Sequence, residues 1–292
     1  MNTMYVTKKT EDYELIDSGD GYKLERFGTV HVSRPDPQAL WARSLSSEVW
    51  NDVSLLFVQE GSKGAWKKKN SLPDPWQMHL SDNIFSLKLA TFKHVGIFPE
   101  QSVHWQWLAD LVQQKIFTGK KVSVLNLFAY TGGASMSLAR AGASVCHVDA
   151  SESAVAWAKE NSELSGLSEK PIRYIIEDVK KFVEREIRRG NTYDIIIMDP
   201  PTYGRGSKNE VWNIEEDLQP LIYRISLLLS ESPVAVLLSG YASGYSHMTY
   251  QQLLSEALLS RGGTTTSGEL YIEQSLGGVY LPCGISARWE AQ

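Results

Sequence analysis

From Val122 to Gly263 the chain alternates short apolar runs with amphipathic runs of ten or more residues, and this alternation leaves few architectures open. The runs VSVLNLFAY, ASVCHVDA, IRYIIEDV, YDIIIMDPP and PVAVLLSG are rich in β-branched residues and read as buried strands. GASMSLARAG, stopped by Gly142, SESAVAWAKENSELSG, opened by a Ser cap, KKFVEREIRRG, EEDLQPLIYRISLLLS and TYQQLLSEALLSRGG have helix spacing and follow them in turn. Strand and helix repeated in this way build a parallel sheet with helices on both faces. The last two apolar runs, TTTSGELYIEQ and VYLPCGISARW, are separated only by the turn signal SLGG, which predicts an antiparallel hairpin at the sheet's end.

Residues 1–95 have a different texture. Short alternating runs such as KLERFGTVHVSR, a Pro-bounded, helix-like DPQALWARSLSSEVW and the turn-rich EGSKGAWKKKNSLPDPW predict a small α+β unit of strands and hairpins. Two domains are therefore expected, 1–95 and 96–292. The first carries twelve basic and twelve acidic side chains, the second seventeen against twenty-two. A net charge of −5 argues against the broad cationic surface that drives non-specific nucleic-acid binding. Lys67, Lys68 and Lys69 beside Trp66 still form a local basic, aromatic patch, which reads either as a solvated hairpin tip or as a nucleic-acid contact. Cys146 and Cys283 make neither a disulfide framework nor metal-ligand spacing, and the six histidines bring no ligands together, so no metal site is expected. With no signal-peptide pattern and no apolar run near the ~20 residues of a membrane span, the expectation is a soluble, cytoplasmic protein.

In a doubly wound sheet ligands sit beyond the carboxyl ends of the strands, so each strand end is a candidate for chemistry. The first ends in NLFAYTGGAS, where Gly132 and Gly133 allow a tight turn and leave amides open at a helix start; the full dinucleotide spacing G-x-G-x-x-G is absent. The second ends at Asp149, placed to accept hydrogen bonds from both hydroxyls of a ribose, or else to cap the following helix. The third ends in Glu177 and Asp178, and Asp178 suits an adenine amino group or a helix cap. Together the three endings describe a pocket for an adenosine with a charged tail. The fourth ends in DPPTY: Pro200 and Pro201 both have fixed φ, Pro201 keeps Pro200 extended, and the chain leaves Asp199 on a stiff, acceptor-rich rail with Tyr203 beyond it.

These residues carry a resemblance. VLNLFAYTGGAS, HVDAS, WAKEN, IIEDV and IMDPPTYGRG, in that order and with GIFPEQ ahead of them, are similar to the successive motifs of class I S-adenosylmethionine-dependent methyltransferases, and within them to the group containing bacterial large-subunit ribosomal RNA methyltransferases. The resemblance implies an α/β fold with a Rossmann-like, seven-stranded, mostly parallel sheet, and S-adenosylmethionine as cofactor. It also implies that Phe98 and Gln101 border the cofactor, that Tyr130, Thr131 and Gly132 lie under its methionine portion, Asp149 at the ribose and Asp178 at the adenine. Asn161 is a lesser candidate near the same pocket, and Asp199, Pro200 and Pro201 would stand next to the transferred methyl, where Asp199 would border the cofactor as well. Methyl transfer from a sulfonium is an in-line displacement with a good leaving group, so the protein mainly aligns the reactants and removes water. Asp199 would accept a hydrogen bond from the acceptor, Tyr203 would stack on an unpaired base, and YGRG would let a loop close over it.

The chain departs from enzymes that methylate carbon 5 of cytosine, which need a cysteine nucleophile after the fifth strand. Here that stretch reads LLSGYASGYS, Cys146 lies inside a strand and Cys283 in the terminal hairpin, so nitrogen or oxygen is the expected acceptor. His147 in CHVDA reads as a packed strand residue. The expectation is a methyltransferase acting on a structured RNA such as ribosomal RNA, with a protein or small-molecule acceptor as the variant. Nicotinamide-dependent oxidoreductases and non-catalytic cofactor binders are the readings from other classes, and no oligomeric state follows from the sequence.

Overall fold

The computed structural model describes residues 3–60, 63–90, 92–206, 210–241 and 244–292. The chain groups into two compact units, one formed by Met1–Tyr5, His104–Leu270 and Gly284–Gln292, the other by Val6–Val103 and Tyr271–Cys283. After β1 (Thr3–Thr7), the second unit contains β2 (Tyr13–Gly19), β3 (Tyr22–Phe27), β4 (Val30–Pro35), β5 (Leu55–Glu60) and β6 (Lys63–Lys68), which form a sheet in that order. All its pairs are antiparallel except β4 with β5, and β7 (Gln77–Leu80) pairs with β8 (Asn83–Ser86) as a separate hairpin. Leu24 and Phe27 are buried in this unit together with a charge cluster. The fully buried Glu25 accepts hydrogen bonds from Arg34 Nε at 2.6 Å and from the Tyr13 hydroxyl at 2.8 Å. Burial pushes its carboxyl up, but the cations of Arg34 and Lys23 outweigh that and hold it at about 2.

The helix expected across residues 36–50 is confined to one turn, α1 (Ser47–Asn51). Asp17 explains why the stretch before it stays irregular. Its buried carboxylate accepts the backbone N–H groups of Ser44 and Leu45 and the indole N–H of Trp50, and these bonds compete with a helical ladder.

The first unit holds the alternating elements: α2 (Ser102–Phe117), β9 (Ser123–Leu127), α3 (Gly133–Arg140), β10 (Ser144–Asp149), α4 (Glu152–Leu164), β11 (Ile172–Ile176), α5 (Val179–Arg189) and β12 (Ile195–Met198). A short hairpin, β13 (Tyr203–Arg205) with β14 (Val211–Asn213), precedes α6 (Ile214–Ser226), β15 (Ala235–Gly240), α7 (His247–Ala257), β16 (Thr264–Glu273) and β17 (Tyr280–Glu290). The large sheet runs β1-β16-β17-β15-β12-β9-β10-β11. Its central strands are parallel and β17 is antiparallel to β15, so the seven expected strands are present. An eighth, β1, adds beside β16 at the edge.

Alternate residues of the central strands feed two cores, as the pleat requires. Leu125, Val148, Ile196 and Leu238 pack with α5, α6 and α7, whereas Val124, Val145, Ile197 and Leu237 pack with α2 and α3. All four residues of β12 are buried, which is why its sequence is a continuous apolar run.

Candidate active site at the carboxyl edge of the sheet

The chain lays β9, β10 and β11 side by side in one direction, then returns to place β12 and β15 on the other flank of β9. Strand order reverses between β9 and β12, and the crevice beyond such a reversal is where open α/β sheets bind ligands. In spatial order that edge presents Ser239 and Gly240 from β15, Asp199 after β12, residues 128–132 after β9, Asp149 from β10 and Asp178 after β11.

The turn after β9 is held in an unusual conformation. Phe128 and Tyr130 have φ of 56° and 48°, in the left-handed region that side-chain-bearing residues seldom occupy. Gly132 follows at φ 89° as the cap of α3, and a Cβ there would also lie 3.0 Å from Ala158. Three groups fix this turn. The Tyr130 N–H donates to Asp149 Oδ2 at 2.9 Å, the buried Asn161 donates from Nδ2 to the Thr131 carbonyl at 3.0 Å, and Gly132 N–H donates to the Ala129 carbonyl at 3.1 Å. Asp149 and Asn161, which sequence reasoning assigned directly to a ligand, thus also build the loop.

Asp149 does not cap α4. Ser151 does, accepting the Ala154 N–H at 3.2 Å, while Asp149 Oδ1 takes the Ser151 N–H at 2.8 Å. The backbone N–H groups of Ser151, Tyr130 and Ala150 act on this carboxylate, whose two oxygens have four lone pairs, so acceptor capacity is left for a ligand hydroxyl. Burial pushes this carboxyl above its ordinary value, against the backbone N–H groups that favour the charged form. Asp178 fills the capping role considered for it, with Oδ1 accepting the Lys181 N–H at 3.0 Å, and its other oxygen leaves it able to take a further donor.

The DPPTY stretch leaves β12 with Pro200 buried and Pro201, Thr202 and Tyr203 exposed. Trp212, which the sequence reading did not single out, pins this rail: its indole N–H donates to the Pro201 carbonyl at 2.6 Å, and its ring meets Phe128 edge-on at 4.8 Å between centroids. The Ile214 N–H donates to the Thr202 carbonyl at 3.1 Å. Instead of an irregular loop, Tyr203–Arg205 forms a strand of the β13–β14 hairpin, with Arg205 Nε donating to the Tyr203 hydroxyl at 3.2 Å.

Three other side chains, His147 and the two cysteines, are structural. His147 is buried with Nδ1 3.0 Å from Ser135 Oγ, and burial depresses it to about 3, so it is a neutral packed residue. Burial raises both cysteine thiols, opposite to what a thiolate nucleophile needs. Phe98 and Gln101 belong to the second unit, where the Phe98 ring lies 4.9 Å from His94 and Gln101 is buried in the turn Pro99–Gln101. Among the described residues no group of three or more His, Cys, Asp or Glu side chains is arranged to hold a metal, and no helix is long and apolar enough to cross a membrane.

The donor set of this edge fits S-adenosylmethionine. The open amides at the start of α3 suit its carboxylate, the Asp149 oxygens suit its ribose hydroxyls, and Asp178 suits its adenine amino group. Comparison with known proteins agrees. The chain is 33% identical over 167 residues to the ribosomal RNA large subunit methyltransferase K/L of Pseudoalteromonas atlantica, which covers 56% of this chain and 22% of that protein. It is 25% identical over 214 residues to the ribosomal RNA large subunit methyltransferase K of Neisseria meningitidis, covering 70% of this chain and 58% of that one. The chain therefore spans about a fifth of the first relative's length and somewhat over half of the second's. The crystal structure of a SAM-dependent methyltransferase from Agrobacterium tumefaciens superposes with a TM-score of 0.94 at 40% identity, covering 99% of this chain and 94% of that one. The sequence profile of the S-adenosylmethionine-dependent methyltransferases matches residues 34–243, and the chain belongs to that family.

Proposed function

We propose that this chain transfers the methyl group of S-adenosylmethionine to a nitrogen or oxygen of a structured RNA such as ribosomal RNA, in the cytoplasm. The observation that carries the chemistry is the rigid DPP rail at the strand-order reversal, with Pro201 clamped by Trp212 and Asp199 at its head. The cofactor supplies an electrophilic methyl on a sulfonium. Tyr130, Thr131 and Gly132 would support its methionine portion, with Asn161 holding the Thr131 carbonyl in place. Asp149 would take the ribose hydroxyls and Asp178 the adenine amino group. Asp199, with the carbonyls of Pro200 and Pro201, would accept the donor hydrogens of the methyl acceptor and aim its lone pair, which is the alignment an in-line displacement needs. The exposed ring of Tyr203 would stack on an unpaired base. With both thiols buried and raised, attack through a covalent cysteine adduct is disfavoured, which supports nitrogen or oxygen over carbon.

RNA is favoured over protein and small molecules by the names of the two relatives and by a feature of the second unit. Although the chain is acidic overall, residues 61–73 and 83–99 contain no Asp or Glu and carry six lysines. The two segments meet at Trp66, whose indole N–H donates to the carbonyls of Ala90 and Phe92 at 3.1 and 3.2 Å. Lys68 is exposed on the same face of the edge strand β6 as Trp66, and Phe92 is 72% exposed. A cation beside an exposed ring suits a phosphate and its stacked base. The double variant Lys68→Glu with Phe92→Ala is expected to weaken binding of a fluorescent single-stranded RNA about tenfold or more, and to lower the slope of log K against log salt by about one. Anisotropy titration at several salt concentrations measures both; wild-type protein that binds no RNA at low salt would contradict the RNA assignment.

A further inference from the structure

The carboxyl end of β15 holds a buried phenol that the steps above do not use. Tyr250, in the first half of α7, is fully buried, and its hydroxyl has no hydrogen-bond partner among the described residues. Leaving a buried hydroxyl unmatched is unfavourable, so such a group calls for a reason. Its placement is specific. A Cβ at Gly240 would lie 2.7 Å from the Tyr250 hydroxyl, so a side chain at that position would displace it. Gly240 ends β15, which runs parallel to β12 with Leu238 opposite Met198. Asp199 follows Met198 directly, and the phenol lies over Gly240, two residues after Leu238 on the neighbouring strand. Two titratable groups act on Tyr250, the Asp199 carboxylate and Tyr245, whose ring centroid is 6.5 Å from its own. Burial first, and then these two, push the phenol above its ordinary range, so it keeps its proton.

We propose that Tyr250 is a positioning residue that donates its phenolic hydrogen to the Asp199 carboxylate as the reacting complex assembles. Hydrogen bonds among catalytic groups are often long before the reactants are bound and tighten when they are. A donor on one carboxylate oxygen fixes the plane of the group, leaves the other oxygen for the methyl acceptor, and favours the ionised form. The inference rests on the assignment of Asp199 to the methyl acceptor.

The test compares Tyr250→Phe, which keeps the ring and its packing, with Asp199→Ala. Both are assayed with tritiated S-adenosylmethionine and ribosomal RNA from cells lacking the protein. Tyr250→Phe is expected to lower kcat about tenfold or more with KM for S-adenosylmethionine unchanged. Because the carboxylate loses a donor to its charged form, the acid limb of the pH–rate profile should move to higher pH. A phenol that only packs would lower Tm without moving that limb. Wild-type kcat and limb in Tyr250→Phe, with Asp199→Ala inactive, overturn the Tyr250 role alone; full turnover in Asp199→Ala overturns the reading it rests on, and this inference with it. A readout that needs no turnover is the 13Cζ resonance of Tyr250, assigned by its loss in Tyr250→Phe. With S-adenosylhomocysteine and ribosomal RNA bound it should shift in Asp199→Asn, and an unchanged resonance in that complex would also overturn the contact.

Discussion

Replacing Asp199 by alanine is expected to lower methyl transfer about a thousandfold while S-adenosylmethionine still binds within a few fold of wild type. The two effects should separate because the proposal sets Asp199 on the acceptor side of the edge, whereas the cofactor contacts it names lie at the ends of β9, β10 and β11. Backbone support is unaffected by the change: the rail is held by the fixed φ of Pro200 and Pro201 and by the Trp212 hydrogen bond to the Pro201 carbonyl, neither of which uses the Asp199 side chain. Single-turnover transfer and calorimetric titration with the cofactor check the two halves. Full turnover in the alanine variant would remove Asp199 from the mechanism, and a parallel collapse of cofactor binding would move it to the cofactor side.

The second large effect is expected at Asp149, even for the isosteric change to asparagine. Oδ2 accepts the N–H of Tyr130 and Oδ1 accepts the N–H of Ser151, so an amide at this position must turn its NH2 toward one of two donors. One of those hydrogen bonds is lost, the strained turn at Phe128 and Tyr130 loses an anchor, and the ribose loses a charged acceptor. A hydrogen bond to a charged group contributes about 1.5–3 kcal/mol, so S-adenosylmethionine affinity should fall about ten- to hundredfold, with kcat at saturating cofactor much less affected. The raised carboxyl adds a pH dependence of known sign. In the proposed site the ionised form would take the ribose hydroxyls, so cofactor affinity should weaken on acidification sooner than it would for a carboxylate of ordinary pKa. Titration across the acid range measures it, and an affinity that does not change with pH would mean that Asp149 does not contact the ribose in its ionised form.

Much of the first unit was legible because its strands are buried on both faces and its helices carry their own start and stop residues. Ile195 to Met198 is apolar throughout because each residue faces one of two cores, and Ser151 and Asp178 stand where the caps of α4 and α5 are found. What was not legible depends on partners distant in the chain. β1 is too short to be distinctive, and it becomes a strand by joining β16. The helix expected over residues 36–50 loses to the Asp17 carboxylate, a competition invisible to local spacing. YGRG suggested a loop from its glycines, yet cross-strand pairing with Val211–Asn213 makes it a hairpin. At the site, the types and order of the residues were readable, but their division of labour was not. Positive φ at Phe128 and Tyr130 has no local signature in non-glycine residues, and it takes the structure to show that Asp149 and Asn161 hold the turn. Trp212 was missed for the same reason, since only the folded hairpin brings its indole to the Pro201 carbonyl.

The most direct test of methyl transfer to RNA is to incubate the full chain with S-adenosylmethionine carrying a tritiated methyl group and with separated RNA, protein and small-molecule fractions from cells lacking the protein. Label is expected in the ribosomal RNA fraction, resistant to protease, sensitive to nuclease and recoverable as an N- or O-methylated nucleoside. Label confined to protein or small molecules, or no label in any fraction although the cofactor binds, would contradict it.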